Sequence, residues 1–289
     1  MITDALISPF TEFEFMRRAL VGTLALALGA APIGVFLMLR RMSLVGDAMA
    51  HAILPGAAIG FLVSGLNLFA MTTGGLIAGF TVALLAGLVA RNTELKEDAS
   101  LATFYLVSLA LGVTIVSVKG TNIDLLHVLF GNILAMDDQT LLVIAFNATI
   151  TLLVMAIIYR PLVIECVDPV FLRTVSRAGA PAHLAFLALV VINLVNGFHA
   201  LGTLLGVGLM ILPAGIARFW SRDITGMICI AVASAIVSGY AGLVLSFQTT
   251  IPSGPAIILI AAGLYVMSLL FGSVSGLIRQ MFPGRHLEA

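Results

Sequence analysis

The stretch RRMSLVGDAMAHAILPGAAIGF, Arg40 to Phe61, decides how the chain is read. Two arginines end one apolar run and a second run begins a few residues later, as expected of a turn at a membrane face followed by a new helix. Inside the second run Asp47 and His51 stand at i and i+4, so both project from one face of a helix starting near Ser43. An aspartate in the hydrocarbon costs about 2.5–3.5 kcal/mol on insertion scales, which makes it a functional suspect. Carboxylate and neutral imidazole together are a good ligand pair for a divalent ion such as zinc. The alternative is a structural Asp–His hydrogen bond, or a shallow pair near the interface. Two ligands do not close a metal site, and a two-fold homodimer would supply a second pair.

The rest of the chain explains why lipid is the relevant solvent. Of 289 residues 61% are hydrophobic and 10% charged, against about 25% charged in soluble domains. The formal net charge is zero, which removes any bulk-charge case for nucleic-acid binding. Apolar runs fall near 19–39, 44–64, 68–90, 100–118, 140–159, 182–198, 200–217, 224–247 and 255–275. They predict one all-α polytopic membrane domain over residues 1–289 with about nine transmembrane helices, eight being the lower count. Residues 1–18 read as an external N-terminal segment without the layout of a secretory signal. Cys166 and Cys229 are isolated thiols.

Nine spans sort the basic residues sharply. One side receives Arg40, Arg41, Arg91, Lys96, Arg160, Arg173, Arg177, Arg218, Arg222, Arg279 and Arg285, the other only Arg17, Arg18 and Lys119. That asymmetry places the N-terminus outside and the C-terminus in the cytoplasm. Proline beside glycine interrupts three runs, at Pro55 and Gly56, Pro213 and Gly215, and Pro252 and Gly254. Such breaks suit the discontinuous helices of transporters, where they could gate, or ordinary kinks and helix starts. The third, near an outer loop, fits a helix start best.

His127, beside Asp124 in an outer segment too short to cross, and His199, at a junction between runs, are weaker metal candidates. The cytoplasmic loop 160–181 is more informative. Asp168 is a natural N-cap, Pro169 suits the first helical position, Gly179 suits the C-terminal cap and Pro181 follows, which predicts a short helix of about ten residues. It either lies on headgroups or docks a partner. The chain has no G-x-x-x-x-G-K-[ST] stretch, so any ATP must be bound by another subunit.

Taken together, RRMSLVGDAMAHAILPGAAIGF, HVLFGNILAM, VDPVFLRTVSRAG, LGTLLGVGLMILPAGIAR and IPSGPAIIL resemble, in order, segments of the membrane subunit of ABC importers for zinc, manganese and ferrous iron. The resemblance runs from about residue 15 to about 275. It implies a type II importer fold related to the cobalamin-type importers, a bacterial cytoplasmic (inner) membrane, a homodimer of permeases, two cytoplasmic ATP-binding subunits and an extracytoplasmic metal-binding protein. It implies no enzymatic activity in this chain and no permanently bound cofactor, the divalent ion being substrate. By motif, Asp47 and His51 match the metal path. Asp168, Pro169, Phe171, Arg173, Arg177 and Gly179 fall in the ATPase-docking element. Thr250 stands where the family is often acidic. The expected function is ATP-driven import of a divalent metal, with zinc favoured by His127 and His199. Manganese or iron(II) carried by the same machinery, or a stand-alone secondary transporter or channel, are the alternatives. The pair is expected deep in the bilayer, on the axis of the dimer.

Overall fold

The computed structural model describes residues 2–65, 67–95, 97–118, 133–168, 171–172, 174, 176, 178–249 and 251–278, and all regular structure among them is helical. The helices are α1 (Ile2–Glu12), α2 (Glu14–Leu39), α3 (Val45–Ala52), α4 (Leu54–Ser64), α5 (Leu68–Asn92), α6 (Glu97–Val118), α7 (Asp138–Val167), α8 (Gly179–Leu201), α9 (Thr203–Trp220), α10 (Ile224–Gln248) and α11 (Ser253–Phe271). All nine apolar runs form helix. Eight spans among the described residues are long and apolar enough to cross a bilayer, α3 and α4 together making one of them. α9 covers 18 residues, about 27 Å at 1.5 Å per residue, slightly short of a hydrocarbon core of roughly 30 Å.

α2 is the centre. Leu26, Ala27, Ala30, Ala31, Ile33, Phe36 and Leu37 are all buried, and the helix packs against α7, α8, α9 and α10. Lipid tails are as apolar as leucine, so helices in a bilayer associate through close packing and polar contacts rather than by hiding hydrocarbon. Glycine makes that packing close. A Cβ on Gly34 would overlap the Met210 carbonyl of α9. Gly56 and Gly60, one helical turn apart on α4, meet Gly74 and Ala70 of α5 backbone to backbone.

The corner between α2 and α3 is a Schellman cap, with the Arg41 N–H donating to the Met38 carbonyl at 3.1 Å and the Met42 N–H to the Leu37 carbonyl at 2.8 Å. The residue in the left-handed position is Arg41, at φ 61°, where glycine is usual. Met42 and Leu37 are both buried, which is the hydrophobic contact that accompanies such caps. A second joint separates α3 from α4. Pro55 occupies the first turn of α4, where its missing N–H costs little. The buried Ser108 hydroxyl of α6 donates to the Ala52 carbonyl at 2.8 Å, giving a carbonyl at the break a partner that lipid would not offer.

The N-terminal segment is not a loose extension. α1 lies on the bundle, where the Tyr240 hydroxyl donates to the Leu6 carbonyl at 2.9 Å and the Phe10 and Tyr240 rings stack at 5.1 Å. Asp137 and Asp223 cap α7 and α10, accepting backbone N–H bonds from Thr140 and Gly226. Hydrogen bonds from Thr140 to Asp137, and from the Ser221 hydroxyl and the Gly226 N–H to Asp223, hold both carboxyls below their ordinary values.

Two outcomes are expected from this packing. Gly56→Leu drives a side chain into the α5 backbone, so its thermal midpoint in detergent should fall by an amount corresponding to about 1–3 kcal/mol or more; the control Ile59→Leu, on a half-exposed position, should be near wild type. Arg41→Gly removes a left-handed L-residue costing about 1 kcal/mol and should raise the midpoint, whereas Arg41→Val should lower it.

Candidate functional site

α3 is only eight residues long, so both of its ends act on its side chains. Asp47 lies in its first turn and His51 in its last, which are the ends where the helix dipole favours an anion and a cation respectively. Val45, Gly46, Ala48, Met49, Ala50 and Ala52 are buried. The remaining face carries Leu44, Asp47 and His51, with Leu44 68% exposed and the Asp47 and His51 side chains 66% and 33% exposed. The face bearing the two polar groups is thus the open face of the single chain.

Nε2 of His51 is 3.8 Å from Oδ1 of Asp47, too far for a hydrogen bond. Two ligands of one ion at about 2.0–2.2 Å stand roughly 3–3.5 Å apart, so a small side-chain movement would let both atoms hold the same ion. The His51 ring lies 6.3 Å from that of Tyr105 on α6. Among the described residues no group of three or more His, Cys, Asp or Glu side chains is placed to hold a metal, so one chain offers two donors. Asp47 and His51 are the third and seventh residues of the 20-residue span Val45–Ser64. The chain turns at Arg41 and enters α3 almost at once, which leaves few residues between the corner and the pair.

The other candidates separate. His127, Pro169, Arg173, Arg177 and Thr250 lie outside the described residues. His199 stands near the end of α8. Pro55 and Gly56 start and pack α4, Pro213 lies inside α9, and Gly215 makes room for the Tyr265 ring. Pro252 is the N-cap of α11 and Gly254 lies in its first turn, so this pair begins a helix and does not interrupt one.

In the loop 160–181 Asp168 caps as expected, its Oδ1 accepting from the Phe171 N–H at 2.9 Å. The Ser176 N–H reaches the Leu172 carbonyl at 2.9 Å, which continues the turn. Phe171 is 53% exposed, whereas Leu172 is buried. Gly179 is not the C-cap. Its φ is not positive and it begins α8, where a Cβ would come within 3.1 Å of the Leu172 side chain.

Three polar contacts escaped the sequence reading. Arg18 binds Asp138 through two nitrogens, at 2.8 and 3.2 Å, and Glu14 at 2.6 Å, joining the starts of α2 and α7. Asn193 of α8 donates to the Thr151 hydroxyl of α7 at 2.8 Å and accepts from Asn147 at 3.3 Å, all three being buried. At the other end, Arg40 forms an ion pair with Glu165 and bonds Nδ1 of His183 at 2.9 Å, with its guanidinium 4.9 Å from the centre of the Phe186 ring. Glu165, an acid inside an apolar run, and His183, just past Pro181, were the sequence signals. They carry weight only once α2, α7 and α8 are known to converge. The end of α2, the end of α7 and the start of α8 thus share one side of the bundle, as the arginine distribution requires.

Comparison with known proteins agrees with this architecture. The chain matches the ABC 3 transport family over residues 12–272. It is 30% identical to the manganese transport system membrane protein MntC of Halalkalibacterium halodurans, covering 96% of this chain and 94% of that one. With the manganese import system permease protein ScaB of Streptococcus parasanguinis it shares 31% identity over 93% and 94% of the two chains, and with a Haemophilus influenzae protein named for iron transport 28% over 94% and 98%. The structure of PsaBC from Streptococcus pneumoniae in complex with Fab superposes with a TM-score of 0.83 at 27% identity, covering 97% of this chain and all of that one. The chain belongs to the ABC 3 transport family, as a multi-pass membrane permease.

Proposed function

We propose that the chain is the membrane subunit of an ATP-driven importer of manganese or iron(II) in a bacterial cytoplasmic membrane, and that two copies face each other across the path of the ion. The observation that carries this reading is the Asp47–His51 pair, open and 3.8 Å apart on the unpartnered face of α3. Two copies brought together on that face would offer two carboxylates and two imidazoles, with water filling the remaining positions. A transport station must release what it binds, so a ligand set shared between copies and completed by water is an advantage.

Zinc, favoured in the sequence by His127 and His199, gives way in this reading to the metals for which the relatives are named. A carboxylate–imidazole–water set suits manganese and iron(II) as well, and affinity order alone does not set selectivity. Relatives covering nearly the whole chain are named for manganese and for iron. The basic residues near Arg40 and the coupling segment support an outside N-terminus. ATP-binding subunits would then engage Asp168–Gly179, with Phe171 as an exposed apolar contact, while an extracytoplasmic binding protein delivers the ion to the opposite side.

In the reconstituted complex, Asp47→Ala and His51→Ala should each cut metal uptake at least about tenfold, since each removes one of the two donors a copy offers and loss of a mere outer-shell partner already costs about that much, while the ATP-binding subunits still co-purify; uptake at the wild-type rate in both variants would refute the assignment. With manganese, iron(II) and zinc in competition, radiolabelled manganese should be displaced best by manganese or iron(II), and preferential uptake of zinc would overturn the choice of ion. The purified chain alone in liposomes should move no ion, and nucleotide-free flux would point instead to a secondary transporter.

A further inference from the structure

The structure assigns to Arg40 a role in force transmission: its guanidinium ties the two flanks of the coupling segment to the corner that carries the metal pair. This rests on the importer reading given above. Arg40 is the C-cap of α2, and its side chain is 7% exposed. One nitrogen pairs with Glu165, three residues before Asp168, where the coupling segment begins. The other bonds His183, four residues after Gly179, where it has ended. A single planar group therefore holds the chain entering the segment and the chain leaving it. Arg40 is also covalently next to Arg41, the strained left-handed residue of the corner, and α3 follows within five residues.

The contacts of the cluster are not all saturated. A guanidinium has only donors, so Nδ1 of His183 accepts in the state seen and the ring proton sits on Nε2. The same Nδ1 is 3.7 Å from the second oxygen of Glu165. Arg40 Nε is buried without a partner. The pair contacts are thus strong but not saturated, and a shift of the coupling segment changes which of them are made. A buried ion pair that loses one contact must exchange it for another or leave a charge uncompensated, so displacement of either flank is passed to Arg40 and on to α3.

The test uses the full complex in proteoliposomes, permease with its ATP-binding subunits and binding protein, and reads metal ions imported per ATP hydrolysed. In Arg40→Gln the complex should still assemble and hydrolyse ATP, while the ratio falls about tenfold, the size of a typical coupling free energy. Arg40→Lys, which keeps the charge but cannot hold both flanks, should fall as well. A purely structural role would lower assembly, hydrolysis and import together and leave the ratio unchanged, and that result overturns the inference. Should Arg40→Gln fail to assemble, His183→Gln, which frees only one flank, decides by the same ratio. If the wild-type complex itself shows no ATP-linked import, the importer reading has failed; if it imports and the variants keep its ratio, only the transmission role has.

Discussion

Backbone-to-backbone contact through glycine is the constraint on which the rest of the molecule depends. In a bilayer the apolar side chains of α2 would be as well solvated by lipid as by protein, so burial alone does not select this bundle. Gly34 against Met210, and Gly56 with Gly60 against Gly74 and Ala70, let helices approach until their main chains touch. That closeness fixes α2 at the centre and locks α4 to α5. It also sets where the chain can turn, because a corner in lipid is tolerated only if its carbonyls are answered, as the Schellman cap at Arg41 and Ser108 at Ala52 answer them.

Against that frame the polar groups within and around the spans fall into two kinds. Asn147, Thr151 and Asn193 bond one another between α7 and α8, and Arg40, Glu165 and His183 do the same where α2, α7 and α8 meet. These groups are satisfied mainly by each other and hold elements together. Asp47 and His51 are different: they share a helix, face outward and stop short of bonding each other. An incomplete pair on an open face is poor structural glue. It is suited to an ion that must arrive and leave.

How much of this was legible in the sequence depends on the range of the interaction. The helices followed from runs of apolar residues, and the Asp168 cap from a local pattern, because both are set by residues within a few positions. The i, i+4 placement of Asp47 and His51 was equally local. The corner just before them was not, since Arg41 adopts there a conformation that sequence assigns to glycine. Gly179 was read as a cap because glycine is common there, whereas it begins α8 with the Leu172 side chain packed close to it. The Arg40 cluster joins residues more than a hundred positions apart, and no periodicity signals such a meeting.

The brevity of α3 has a mechanical consequence. It is eight residues between two joints, one closed by Arg41 and the other opened by Pro55, while its neighbours α2 and α4 are clamped by glycine contacts on both sides of it. Six of the eight residues, Val45, Gly46, Ala48, Met49, Ala50 and Ala52, are buried, so the segment is held by its packing between the two joints. Because Asp47 and His51 ride on its one open face, any rotation large enough to repack that buried side would turn both donors together, and neither could be presented or withdrawn alone.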